Sequence, residues 1–418
     1  MTVPKLRFKE FSGDWISENI QGLVDSKILD KPMDGNHGEI HPTSADYVDD
    51  GIPFVMATDI FNGQVYLNKS KKIPKTQADS LRKGFSLEGD ILLTHKATIG
   101  NVAIVPKLNT PYVMLTPQVT YYRILNKEKL VPEFLKSNFE SPYFQNELLA
   151  LYTGATRLYI GISEQRKIPF RYCCTEEQTK IASFLSAVDE KISQLTQKHA
   201  LLSQYKQGMM QKLFSQQIRF KADDGGEFAE WGKIQLKDVA ERVTRKNKED
   251  NQNALTISAQ MGLVNQQDYF SKQIASRDLS KYYLLHKGEF AYNNSYSAGY
   301  PMGAIKRLKL YEKGVVSTLY ICFALNDQLN AEFFEHYVES GALVSELEKI
   351  AQEGARNHGL LNISLQEFFE VSFVKPCLEE QIKIANFLSA IDQKIEVVAQ
   401  QIEQAKTWKK GLLQQMFV

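Results

Sequence analysis

The strongest constraint on this chain is a stretch that occurs twice. Residues 174–214 recur as residues 377–417 at a constant offset of 203, without a gap, and 19 of the 41 aligned positions are identical. Both copies begin Cys-x-Glu-Glu-Gln and continue through Ile-Ala-x-Phe-Leu-Ser-Ala, a Val or Ile, and then Asp189 or Asp392. An internal repeat of this kind fixes the plan of a fold before any single element is assigned.

Each copy has the period of a coiled-coil helix. From Ile181 through Leu185, Val188 and Ile192 to Leu213, apolar residues step by four and three, with polar interruptions at His199 and Lys206. From Ile384 through Leu388 and Ile391 to Met416 the same seam returns, interrupted at Lys409. This spacing predicts two helices of about 40 residues, each on the order of 60 Å long. A single apolar seam is not stable in water, so the two helices should pack on each other. Thr175 followed by Gln178 suggests a capping box. Glu176-Glu177 and Glu379-Glu380 suit the positive end of a helix dipole, which accounts for them without acid–base chemistry.

The repeat extends beyond the helices. Arg7-Phe8 with Trp15 is echoed by Arg219-Phe220 with Trp231. The order is therefore domain, helix, domain, helix: a first domain at 1–172, a central helix at 173–215, a second domain at 216–376 and a C-terminal helix at 377–418. Both domains read as mixed and strand-rich. Gly89-Asp90-Ile91-Leu92-Leu93 and Gly288-Glu289-Phe290 each open a strand from a turn, and a polar loop follows each strand. Before each long helix lies a related element, Gly154-Ala155-Thr156-Arg157 or Gly354-Ala355-Arg356-Asn357. The helices match well and the domains poorly, as expected of one scaffold carrying two different readers.

The chain has no Asn/Asp-Pro-Pro-aromatic loop of an amine methyltransferase, no phosphate-binding Gly-x-x-x-x-Gly-Lys loop and no His-Glu-x-x-His helix. The four cysteines form no Cys-x-x-Cys pair. His37 and His41 are four apart, but Gly38 and Pro42 argue against a helix presenting both to one metal. No cofactor, metal or catalytic residue is expected. No apolar run reaches the length needed to span a bilayer, and the N-terminus lacks a signal region. A cytoplasmic protein without a membrane partner is expected.

Recognition chemistry remains. The formal net charge is +1, so any DNA surface must be a local patch. Lys69, Lys71 and Lys72 form one basic run and Arg242, Arg245 and Lys246 another, suited to phosphates. The loops after the two turn-and-strand segments carry side chains suited to base edges. These are Thr94, His95, Lys96, Thr98 and Asn101 in the first domain, and Asn293, Asn294, Ser295 and Tyr296 in the second. Arg157, Arg356 and Asn357 add donors beside glycines that let a backbone come close.

Taken together, these segments resemble the specificity (S) subunit of type I restriction–modification systems, over the whole chain. The resemblance rests on the twin Glu-Glu-Gln…Phe-Leu-Ser-Ala…Asp helix starts, on Gly51-Ile52-Pro53-Phe54, and on the Gly89-Asp90-Ile91 and Gly288-Glu289-Phe290 segments. It implies an α/β protein with two target recognition domains separated by two long helices in an antiparallel coiled coil, pseudo-twofold overall. It also implies double-stranded DNA as ligand, read as a bipartite target. Methyltransferase subunits, which bind S-adenosylmethionine and methylate adenine, would dock on the helices, and restriction subunits would join them. The competing readings are the specificity part of a methyltransferase–nuclease enzyme and a coiled-coil adaptor that binds no DNA.

Overall fold

A computed structural model of the chain describes residues 3–36, 41–153, 159–270, 278–353 and 361–417. The chain divides into two compact units, Met1–Thr196 with Ala399–Val418, and Gln197–Val398. The two repeat segments are continuous helices, Thr175–Phe214 and Leu378–Met416. Each long helix contributes its first part to one unit and its last part to the other.

In the first unit the strand Ile16–Asn19 pairs antiparallel with Pro169–Tyr172, the strand that leads into the first long helix. This closes the domain by bringing its two ends together. Between them lies a four-stranded antiparallel sheet in the order Met33–Asp34, Val119–Tyr122, Ile91–Thr94, Val102–Ile104. A second four-stranded sheet contains the parallel pair Ile52–Val55 and Val113–Leu115. The helices Pro132–Glu140 and Pro142–Thr153 complete the domain.

The second unit repeats the central parts. Gly232–Gln235 pairs antiparallel with Ser372–Lys375. The main sheet runs Ala240–Arg242, Ile321–Leu325, Phe290–Asn293, Ala304–Arg307, the same antiparallel order as in the first unit. The helix Ala331–Glu339 follows it.

The turn that opens each central strand is built alike. Gly89 (φ +84°) and Gly288 (φ +93°) take the left-handed conformation that glycine adopts without a steric penalty. The next residue is an acid that bonds the backbone three positions back: Asp90 accepts from Leu87 N and Glu289 from His286 N. Each acid also receives a two-pronged arginine, Arg123 in the first unit and Arg245 in the second.

Each long helix begins in a shared set of bonds rather than in a capping box. The Thr175 hydroxyl donates to Glu128 O, and Gln178 Nε2 donates to the carbonyls of Cys173 and Lys129. Gln178 Oε1 accepts from Val131 N. Gln381 makes the same three kinds of bond, to Pro376, Gln328 and Asn330. Glu177 and Glu380 are fully buried and paired with Arg7 and Arg219. The helix dipole alone therefore does not explain these acids; they fasten the first residues of each domain to the helix that follows it.

Within each unit the long helices run antiparallel. In the first, Ile181, Leu185 and Val188 near the start of one helix share a core with Leu412, Leu413 and Met416 at the end of the other. Trp15, Phe134 and Phe170 of the domain join that core. In the second, Met210, Leu213 and Phe214 share a core with Ile384, Leu388 and Ile391, together with Trp231 and Phe333. Burying side chains of this size stabilises each unit by about 1.5–3 kcal/mol apiece.

The seam lysines have partners. Lys206 Nζ lies 2.6 Å from Asp392 in the second unit, and Lys409 Nζ lies 2.7 Å from Asp189 in the first. Lys206 is the repeat equivalent of Lys409, and Asp392 of Asp189, so one lysine–aspartate match is used twice. No helix among the described residues is long and apolar enough to cross a membrane.

Candidate nucleic-acid interface

The two polar loops singled out in the sequence occupy equivalent ends of the two main sheets. In the first unit the hairpin continues past Thr94: Thr94 N donates to Asn101 O (3.0 Å), and Gly100 N donates to Thr94 O (2.9 Å). In the second, the strand Phe290–Asn293 runs into a loop that returns at Ala304.

Each loop is joined to the chain that follows the Gly-Ala element. Ile160 N donates to His95 O (3.2 Å), and Leu361 N donates to Asn294 O (2.9 Å). The Asn294 side chain adds a second bond to Leu361 O (2.8 Å). Arg157, Arg356 and Asn357 lie outside the described residues, but the segments that leave their elements meet the polar loop in both units. Two features that are far apart in sequence are thus brought together twice, in the same way.

The expected base-reading side chains divide into displayed and internal ones. Lys96 and Thr98 are exposed. Thr94 and His95 are not displayed: both are fully buried, and Thr94 Oγ1 accepts from Asn101 N (2.9 Å). Antiparallel pairing carries the sheet past the apolar strand and takes these two polar residues inside with it. The Asn101 amide donates to Ile60 O (2.7 Å) and braces a neighbouring hairpin. In the second unit Tyr296 is 64% exposed. The Asn293 carboxamide oxygen accepts from Ser295 N (3.2 Å), so Asn293 and Ser295 shape the loop beside it.

The basic residues divide similarly. Lys71 is exposed on the strand Lys71–Ile73, whereas Lys72 donates to Asp49 O. Lys69 lies 5.2 Å from the centre of the Tyr66 ring, which stacks on Phe61 at 3.9 Å. Arg242 and Lys246 converge on Tyr283: the guanidinium reaches its hydroxyl at 3.4 Å, and the ammonium lies 4.2 Å over its ring. Arg245 is exposed, but its guanidinium is engaged by Glu289 and also donates to Leu284 O, so it braces the strand turn rather than standing as a free cation.

Two features of this region escaped the sequence reading. Leu319, on the turn before the strand Ile321–Leu325, is 79% exposed. That strand pairs with Phe290–Asn293 in the register Tyr292 to Ile321, which puts Leu319 at the same sheet end as the polar loop. Tyr300, Glu339 and the buried Lys306 form a half-buried polar cluster behind the loop. The apolar character of Leu319 gives no sequence signal for display, and the cluster spans too many residues to be read locally. Among the described residues no group of three or more His, Cys, Asp and Glu could hold a metal ion. His37 lies outside those residues, and His41 packs 5.6 Å from Phe54.

Comparison with known proteins agrees with this duplicated construction. The sequence model of the family described as Type I restriction modification DNA specificity domain matches twice, at residues 33–204 and 229–407. The chain is similar to the Type I restriction enzyme MjaVIII specificity subunit of Methanocaldococcus jannaschii, 25% identical over 430 aligned positions. That alignment covers 96% of this chain and 89% of the relative. The MjaIX specificity subunit of the same organism is 27% identical over 153 residues, covering 36% of this chain and 34% of its own. Among solved structures, the S subunit of a type I restriction–modification system from M. genitalium aligns with a TM-score of 0.57 at 16% identity. It covers all of this chain and 99% of that one. A chain from a study of complex assembly and conformational transition of the type I R-M system aligns with a TM-score of 0.53 at 16% identity, over 96% of both chains. These structures share the fold, and the two family matches follow the sequence repeat over most of the chain: the protein belongs to the type I restriction–modification DNA specificity family.

Proposed function

We propose that this chain supplies sequence specificity to a type I restriction–modification assembly in the cytoplasm. It binds double-stranded DNA, and each strand-rich unit reads one half of a split target. It carries out no chemistry itself. Modification subunits, which bring S-adenosylmethionine and methylate adenine, dock against the long helices, and restriction subunits join that assembly. The observation that carries this reading is the duplicated site. In both units a polar loop at one end of an antiparallel sheet is tied to the segment after a Gly-Ala element, and the side chains displayed there differ between the units. Exposed Lys71 and Lys96, with Arg242 and Lys246 around Tyr283, supply positive charge for phosphates. Tyr296, Thr98 and the loop amides supply contacts for base edges.

The test is to express the chain with its modification subunits and map the methylated adenines. A bipartite motif with an unread gap is expected. Exchanging residues 1–172 for the corresponding domain of another specificity subunit should change one half of that motif and leave the other intact. If both halves change, or neither does, the two units are not independent readers. S-adenosylmethionine binding by the purified chain alone would point instead to a chain that is itself the methyltransferase.

A further inference from the structure

The loop between the strands Phe290–Asn293 and Ala304–Arg307 is ten residues long and is held from both ends. On the incoming side Asn294 is bonded through backbone and side chain to Leu361. On the outgoing side three polar groups close a triangle. Lys306 Nζ donates to Glu339 Oε1 (2.5 Å) and to the Tyr300 hydroxyl (2.9 Å). The Tyr300 hydroxyl donates to Glu339 Oε2 (2.6 Å). The ammonium also sits 4.4 Å over the Tyr300 ring.

Lys306 is only 8% exposed. An ammonium so far from water is tolerated when an opposite charge and hydrogen-bond acceptors are held beside it. Two of the three Lys306 N–H donors are used within the triangle, on Glu339 and Tyr300, so each member holds the other two in place. Packing alone does not locate Tyr300, because a cavity of about 150 Å³ adjoins it, lined by Met302, Val338, Leu343 and Leu347 among others. Burial, and then the bond to Glu339, push the Tyr300 hydroxyl above its usual range, so it keeps the proton it donates. Between these two anchors stands the displayed part of the loop, closed by the paired Ser297 and Tyr300 and carrying Tyr296.

We infer that Tyr300, Lys306 and Glu339 are positioning residues for DNA reading by the second unit: they set the loop geometry that presents Tyr296 and its neighbours, and none of them touches DNA. The inference rests on the proposed function. The first unit fastens its equivalent loop differently, by the neutral Gln145 amide donating to Gly100 O (3.0 Å). Loss of the triangle therefore affects one half-site only.

The test uses the full chain assembled with its modification subunits, comparing wild type with Tyr300→Phe and Glu339→Gln. Tyr300→Phe keeps the ring and removes only the hydroxyl, so it carries the test if Glu339→Gln fails to fold. The readout is methylation of targets bearing single-base changes in each half-site. At the half-site read by the second unit, discrimination is expected to fall at least roughly tenfold, the scale of a single lost base contact. Discrimination at the other half-site should be unchanged. Unaltered discrimination in Tyr300→Phe overturns the inference, as does an equal loss at both half-sites, which is the mark of general destabilisation. If wild type itself methylates no bipartite motif, the functional reading falls and this inference falls with it; the wild-type arm tells the two failures apart.

Discussion

Arg7 and Glu177 are joined by two bonds of 2.7 Å, from Nε and Nη2 to the two carboxylate oxygens, across 170 residues of sequence. Glu177 is fully buried. Arg219 and Glu380 repeat the arrangement at 3.1 and 2.8 Å, and Trp231 Nε1 donates to the same carboxylate at 3.2 Å. In both units a residue at the start of the domain is fixed to the first turn of the helix that leaves it.

Removing one partner of such a pair strands a buried charge. Arg7→Met should destabilise the first unit by about 3–5 kcal/mol, whereas Arg7→Met combined with Glu177→Met should recover much of that loss. Denaturant unfolding of the two variants beside wild type measures the difference. A double variant no more stable than Arg7→Met would mean that the pair itself, and not the stranded acid, carries the energy.

The seam lysines give a ranking. Lys409 bonds Glu140 and Asp189, both of which also bond Lys136, so four charges alternate within the first unit. Lys409→Met leaves two carboxylates facing one lysine, and should cost roughly 1.5–3 kcal/mol, the scale of a hydrogen bond to a charged group. Lys206→Met leaves Asp392, whose side chain is 44% exposed and free to hydrate, and should cost less. Chemical denaturation of the two single variants checks the order.

The long helices and the duplicated plan were legible because a heptad seam is a local, periodic signal; their antiparallel pairing was implied only by the family resemblance. The same signal showed that Lys206 and Lys409 break the seam, but not that Asp392 and Asp189 wait opposite, because a partner on another helix leaves no trace in local spacing. Glu177 read as a dipole effect for the same reason, its arginine lying 170 positions away. At the candidate interface, polarity after an apolar strand marked segments that leave the main sheets as loops. It failed to separate buried Thr94 and His95 from exposed Lys96 and Thr98, since only the cross-strand bonds to Asn101 show where the sheet ends. The triangle of Tyr300, Lys306 and Glu339 is assembled from a loop, a strand and a helix, and no motif spans it.

His336 gives the second unit an acid sensitivity. Its ring is buried, and its Nε2 lies 3.2 Å from Ser389 Oγ. Burial, and then the nearby Lys206 charge, lower its pKa to about 4; Asp392 opposes this and Lys309 adds to it. In the unfolded chain a histidine takes its proton near pH 6.5. The unfolded state therefore binds more protons over that interval, and stability is lost as pH falls from about 6.5 to 4, by roughly 3 kcal/mol in all. His336→Gln should flatten this part of the stability–pH curve relative to wild type. Parallel curves for the two proteins would show that the ring does not control it.

The last prediction separates display from support at the candidate interface. Tyr296 is exposed and makes no hydrogen bond or ion pair among the described residues, so Tyr296→Ala should leave the melting temperature nearly unchanged, as surface substitutions do. It should weaken binding to the methylation target by roughly 1–3 kcal/mol if the ring meets a base edge. Thr94→Val should do the reverse. It removes the acceptor for Asn101 N inside the hairpin and should cost about 1 kcal/mol of stability, while the folded protein binds DNA as before. Asn294→Ala should do both, because its amide ties the loop proposed to face DNA to Leu361. Thermal unfolding and DNA titration at fixed salt distinguish the three. A Tyr296→Ala protein that melts early and binds normally would make the loop a structural element, and the displayed surface would have to be sought at Leu319 instead.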